Sequence, residues 1–133
     1  MLRAPGVPGA LYGVAMTTLS VGMITFDTTD AVALATWWAR HVGGTVRDEA
    51  DGWFVTVARP DGPALAFQKV ADPTPGKNRV HVDMQAQDRE AAVRALLADG
   101  ATLVAQQTMP GFSWTVLADP DGNQFCIAQA DGA

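Results

Sequence analysis

From Val80 to Gln85 the chain alternates without a break: Val80, Val82 and Met84 are apolar, while His81, Asp83 and Gln85 are polar. A period of two predicts a β-strand with its apolar side on a helix-covered core and its polar side turned away. Three other stretches keep the same rhythm. "GMITFDTTD" (22–30) places Ile24 and Phe26 on one face and Met23, Thr25 and Asp27 on the other. "ALAFQKV" sets Leu65 and Phe67 against Ala66 and Gln68, and "NQFCIAQ" sets Phe125 and Ile127 against Gln124, Cys126 and Ala128. Two stretches between them read as helices, "DAVALATWWARHVGG" (30–44) and "DREAAVRALLADGA" (88–101). Asp30 is suited to cap the first, and each ends at glycine. "WFVTVARPDGPALAFQKV" (53–70) and "SWTVLADPDGNQFCIAQA" (113–130) each read as two strands around a Pro-Asp-Gly turn.

The order of elements occurs twice, and the copies can be set in register. Asp30 falls on Asp88 at an offset of 58 (88 − 30), and Gly62 falls on Gly122 at an offset of 60 (122 − 62). Each copy is a strand, a helix and about three further strands, so the expected fold is α+β with two βαβββ modules, 20–70 and 79–130, in one domain spanning 20–133. One module alone leaves a sheet face and two edges bare, which makes pairing of the modules necessary. Residues 1–19 stand apart. The stretch "MLRAPGVPGALYGVA" is apolar but broken by Pro5, Pro8 and its glycines, unlike a signal-peptide core or a membrane span. It is read as a flexible extension, with Met16 a natural second start.

Composition narrows the range of partners. The 133 residues are 48% hydrophobic and 17% charged, the balance of a compact globule. A formal net charge of −5 offers no basic stripe for nucleic acid or anionic lipid. The single cysteine, Cys126, excludes an intramolecular disulfide and fits a reducing cytoplasm. The row of Met23, Thr25, Asp27, Ala66, Gln68, His81, Asp83, Gln124 and Cys126 has the mixed character of a cavity wall. A plain wet face is the alternative, but Trp53, Phe54, Phe112 and Trp114 lie near the same strands and bring more aromatic surface than an open face needs.

Three stretches, "ITFDTTDAVALATWWARHVGG", "GKNRVHVDMQAQD" and "LADPDGNQFCI", resemble the vicinal oxygen chelate superfamily, which holds glyoxalase I, bleomycin-resistance proteins and extradiol dioxygenases. The DPDGN turn before the last strand is the most specific of them. "AFQKV" and "GKNRVHVD" further resemble its glyoxalase-like subgroup. The resemblance implies a cupped mixed sheet around a ligand cavity, and a homodimer. It also implies where a metal would sit in metal-dependent members: a His or Gln on the first strand, a Glu on the fourth, a His on the fifth and a Glu on the eighth. Carried over place by place, these positions are Met23, Ala66, His81 and Cys126. Only the histidine is kept, so no metal and no cofactor are expected. Asp27 and Asp83 share the face but occupy no ligand place of the family, and His81 with Cys126 could at most chelate a stray zinc or nickel ion.

Catalysis is left open by the residues. His81 could serve as a base, and a Cys126–His81 pair could make a nucleophile, yet neither an oxyanion hole nor an orienting partner can be named. Buried cysteine is more often inert packing. His41 is expected to stabilise the end of its helix. Of the adjacent Trp37 and Trp38, at least one should pack on the sheet while its neighbour sits at an edge or a dimer contact, with core packing the default for both. Trp114, beside the "MPGF" loop, is the tryptophan best placed to stack on a ligand. Lys77, Asn78 and Arg79 precede His81 in a linker, which reads as a plain solvated loop or, more sharply, as an anchor for an anionic group.

The leading expectation is therefore a cytoplasmic, metal-free, homodimeric protein that binds an aromatic or drug-like small molecule. Its ligand-binding residues would be Met23, Asp27, Gln68, His81, Asp83, Trp114, Gln124 and Cys126. The alternative is a glyoxalase-like lyase, isomerase or dioxygenase that uses His81 as base or metal ligand.

Overall fold

The computed structural model describes residues 19–130; the expectations for residues 1–18 lie outside the described residues. The elements run β1 (Met23–Thr28), α1 (Ala31–Val42), β2 (Thr45–Asp48), β3 (Phe54–Ala58), β4 (Ala64–Lys69), β5 (Val82–Ala86), α2 (Arg89–Ala98), β6 (Thr102–Met109), β7 (Phe112–Ala118) and β8 (Gln124–Gln129). Both modules are present, with identical topology. The strand orders are β1-β4-β3-β2 and β5-β8-β7-β6. In each sheet the first and last strands pair in parallel and the other neighbours run antiparallel. Backbone hydrogen bonding thus makes two mixed four-stranded sheets, one per module.

The helices begin where their caps dictate. Asp30 and Asp88 are extended, and each side chain accepts the N–H three residues on, from Ala33 and Ala91, at 3.1 Å. Helix α1 ends at Gly43 in the left-handed region (φ 68°). Gly44 is required for a different reason, because a Cβ there would meet the Ala58 carbonyl oxygen at 2.6 Å and the Val57 side chain. The chain passes so close to β3 that only hydrogen fits.

One continuous core holds both modules. It includes Leu34, Trp37 and Trp38 of α1, Val55, Leu65 and Phe67 of the first sheet, Val93 and Leu96 of α2, and Leu117, Phe125 and Ile127 of the second sheet. Ile24, Phe26, Val82 and Met84 pack against it, as their alternation predicts. Val80 does not: β5 starts two residues later, and Val80 is 79% exposed in the linker.

Both tryptophans are buried in the core, the default expected for them, at 4% and 1% exposure, and neither is left at an edge because the second module closes over α1. The Trp38 ring lies 5.4 Å from Phe26 and 4.8 Å from Phe125, bridging the two sheets. Trp37 Nε1–H donates to the Asp99 carbonyl (2.6 Å), and Trp38 Nε1–H donates to the Asp119 carboxylate (2.9 Å). His41 is drawn into the same junction. Its Nε2 lies 2.7 Å from Asp99 Oδ2, to which Arg40 Nε also donates at 3.0 Å, so the end of α1 is tied to the end of α2.

Candidate functional site

The site is built on β5 and β8. Before β5, Asn78 clamps the linker to the first residue of β8: its Oδ1 accepts from Gln124 N–H (2.8 Å) and its Nδ2 donates to the Gln124 carbonyl (3.1 Å). The parallel register then sets Asp83 opposite Cys126. His81, two residues earlier, brings its Nδ1 to 3.6 Å from Asp83 Oδ1. The candidate ligand atoms of His81, Asp83 and Cys126 all lie within 4.8 Å of one another. Asp83, for which the sequence named no role beside His81, is part of the same cluster.

Cys126 is half-buried. Burial pushes its thiol up from the ordinary cysteine range, and the hydrogen bond to Asp83 and that carboxylate's charge push it further, against a smaller opposing effect of Lys77. A thiol so placed is protonated at neutral pH. The thiolate nucleophile considered from sequence therefore gets no electrostatic support from its surroundings.

A cavity of about 190 Å³ opens beside the cluster. Cys126, Gln124 and Val116 line it from β8 and β7, Trp114 and Gln107 from β7 and β6, and His81 and Lys77 from the linker. Phe112, 5.5 Å from Trp114 between ring centres and 51% exposed, extends the aromatic surface. Of the eight predicted ligand-binding residues, His81, Trp114, Gln124 and Cys126 line this cavity, and Asp83 touches the same cluster. Met23, Asp27 and Gln68 do not join them. They stand on β1 and β4, with Asp27 beside Gln68 in register. The helix-side faces of both sheets share one core, so each polar row lies on the face turned away from it.

A larger hollow of about 370 Å³ lies on the helix side of the second sheet, between α2 (Arg89, Glu90, Val93, Arg94) and Gln106 and Thr115. It contains no nucleophile or metal-ligand cluster. The Thr115 hydroxyl is spent on Gln106 Oε1 at 3.1 Å.

The four-strand metal set fails in this chain. Met23 and Ala66 supply neither oxygen nor imidazole at the first- and fourth-strand places, which leaves a hard divalent ion without its carboxylates.

Sequence reasoning missed two organising residues. Asp119, 2% exposed, accepts from the N–H groups of Asp121 and Asn123 (2.9 Å each), from Asn123 Nδ2 and from Trp38. Thr28 at the end of β1 donates to Asp121 Oδ2 at 2.6 Å. The DPDGN turn is therefore both a turn, with Gly122 at φ 91°, and the junction that carries β8 onto the first module. An aspartate four residues before an asparagine in a tight turn is a legible signal for such an Asx-type network. The Asn78 clamp carried no comparable signal, since Gln124, the residue it holds, is 46 residues away.

Two βαβββ modules sharing a core, with a polar and aromatic hollow on one sheet, define the glyoxalase/bleomycin-resistance class of fold. The Glyoxalase-like domain family matches residues 23–128, and the chain belongs to that family. Solved structures agree on the fold. A glyoxalase/bleomycin resistance protein/dioxygenase family enzyme from Burkholderia phytofirmans PsJN is 21% identical with a TM-score of 0.68, over 81% of this chain and 96% of that one. A bleomycin resistance determinant encoded on the transposon Tn5 is 16% identical (TM-score 0.63; 86% and 100% covered). TioX from Micromonospora sp. ML1 is also 16% identical (TM-score 0.61; 83% and 98%). Among curated proteins none matches the chain. No helix among the described residues is long and apolar enough to cross a membrane.

Proposed function

We propose that this protein is a cytoplasmic, homodimeric small-molecule-binding protein that holds its ligand in the cavity of the second sheet and does not use the family's four-strand metal centre. The observation that carries this reading is the make-up of the cavity: one indole face, Trp114, with Lys77, His81, Gln107 and Gln124 spaced around it. An aromatic platform with a few polar groups is what orients a flat ligand. The likeness to the Tn5 bleomycin resistance determinant supports sequestration as the task. At about 190 Å³ the cavity has room for about six waters at ~30 Å³ each, or for one ring-sized portion of a ligand. A larger ligand reaches past the rim. The exposed Met109 and Phe112 extend the apolar surface there, and a second copy is the partner proposed to cover them.

The test is a thermal-shift and fluorescence panel of flat aromatic compounds, with sedimentation to give the mass. The expected result is a stabilising ligand whose effect falls at least about tenfold in Trp114→Ala, on a species of twice the 14.0 kDa chain mass. A ligand response unchanged in Trp114→Ala overturns the site assignment. A second reading, a lyase or isomerase with His81 as base, is favoured by one observation, the Asp83 carboxylate at 3.6 Å from a ring nitrogen. Turnover that disappears in His81→Gln while ligand binding persists would select it.

A further inference from the structure

We propose that the hollow between α2 and the second sheet is an anion-binding site, with Arg89 and Arg94 as its charged anchors and an oxyanion, the carboxylate or phosphate group of a small organic molecule, as its ligand. Of the buried side-chain nitrogen and oxygen atoms among the described residues, Arg89 Nη1 is left without a hydrogen-bond partner. Neither Arg89 nor Arg94 has an ion-pair partner among those residues. A cationic nitrogen withdrawn from water and left unpaired costs free energy that a bound anion offsets. Arg89 is half-buried as a whole, so rotation of its outer bonds turns Nη1 into the hollow that the side chain already lines.

The lining selects charge as well as size. Thr115 donates its hydroxyl proton to Gln106 Oε1 at 3.1 Å, so Gln106 meets a ligand through its amide N–H groups. Two guanidiniums and this amide face one carboxylate, Glu90, a balance that favours a negative ligand. The guanidinium fork matches a carboxylate or a phosphate with paired hydrogen bonds. At about 370 Å³ the hollow falls within the range of small-molecule sites, about 300–1,000 Å³, and Val93 gives a carbon skeleton an apolar wall. The end of the helix is not what holds the anion. The Arg89 N–H already donates to Gln129 Oε1 (3.0 Å) and the Ala91 N–H to Asp88 Oδ1 (3.1 Å).

The fold itself does not require this chemistry, as the first module shows. At the offset of 58, Arg89 and Arg94 stand in the places of Ala31 and Thr36, and at the offset of 60 Thr115 stands in that of Val55. Ala31 and Val55 are packed into the core, at 1% and 0% exposure. Ala95 and Leu96 take the places of Trp37 and Trp38, so α2 brings less bulk to its sheet and leaves the hollow open. Thr115 alternates with Trp114 along β7, which puts this site on the opposite face of the sheet from the cavity of the proposed function.

The test is NMR of the isotope-labelled full chain, with inorganic phosphate and then acetate titrated in at an ionic strength held constant with chloride. The expected result is a saturable shift of the Arg89 and Arg94 side-chain N–H signals and of the Gln106 amide, and the tighter-binding probe tells a phosphate ligand from a carboxylate. Arg89→Met weakens that probe about tenfold or more, the effect of losing one charge-assisted hydrogen bond. Without either probe it melts no lower than the parent, because the unpaired nitrogen is gone. Arg94→Gln, at an exposed position, weakens the same probe with the core untouched. Signals that move without saturating, or an affinity that Arg89→Met leaves equal to the parent's, overturn the proposal. So does a lower melting temperature of Arg89→Met in the absence of both probes, since the protein's own groups would then be what satisfies this side chain.

Discussion

Asp119 is where a single residue carries the greatest structural weight. Its carboxylate is withdrawn from water, and burial raises its pKa above 3.8 despite the hydrogen bonds that favour the charge. Removing it strands the Trp38 indole N–H and the donors of the turn together. Each orphaned buried group costs about 1–3 kcal/mol, so Asp119→Ala is expected to lose about 3 kcal/mol or more in urea unfolding. Trp38→Phe leaves a smaller aromatic ring, as Trp37→Phe does, and deprives a buried carboxylate of one donor. A hydrogen bond to a charged group is worth about 1.5–3 kcal/mol, against about 0.5–1.5 for the neutral bond that Trp37→Phe removes. Trp38→Phe should therefore be the more destabilising of the two, and equal losses would show that the indole bonds are not what joins the modules. The role of Asp119 was only partly visible beforehand: the turn motif marked the position, but its partner on α1 is 81 residues away.

Among the elements, the junction of α1 and α2 shows how charge is used. Asp99 at the end of α2 accepts from Arg40 and His41 at the end of α1, and these contacts hold its carboxyl below the usual 3.8, Arg40 first. A carboxylate whose folded pKa is depressed stabilises above the unfolded pKa. Its contribution is lost as pH falls below about 3.8 through the depressed value. Asp99→Asn is expected to flatten the acid limb of stability against pH, measured by denaturation midpoints from pH 6 downward, and an unchanged limb would place the junction's strength elsewhere. The approach of α1 to β3 supplies a second check. Gly44→Ala sets a methyl against a backbone oxygen that cannot yield, and overpacking of that kind costs about 1–3 kcal/mol. Helix caps, strand faces and the twofold repeat were legible because each depends on near neighbours in the chain. The partners of His41 and of the two tryptophans were not legible, because they lie on the other module.

At the scale of the whole molecule, the shared core makes the modules mutually dependent. Trp38 touches both sheets, and the apolar face of neither module is covered without the other. Unfolding is accordingly expected as one transition, coincident by tryptophan fluorescence and circular dichroism, and a fragment of residues 79–130 alone should remain unfolded. Two separated transitions would contradict a common core. The same packing governs the site: with the helix-side faces turned inward on one core, the polar rows of the two sheets occupy separate surfaces. That is why Met23, Asp27 and Gln68 share a pattern with His81 and Cys126 yet do not share their cavity.

The amino-acid sequence by itself determined the order of elements, the side of each strand that is buried, the caps and the two-module plan. These follow from periodicity, dihedral preference and hydrogen bonds spanning only a few residues. Tertiary structure alone decided that Asp83 meets Cys126 and His81, that Asn78 clamps the strand beneath them, and that both tryptophans bond across the module junction. Each depends on strand register or module packing, which is set by the lowest free energy of the whole core and leaves no local trace in the chain.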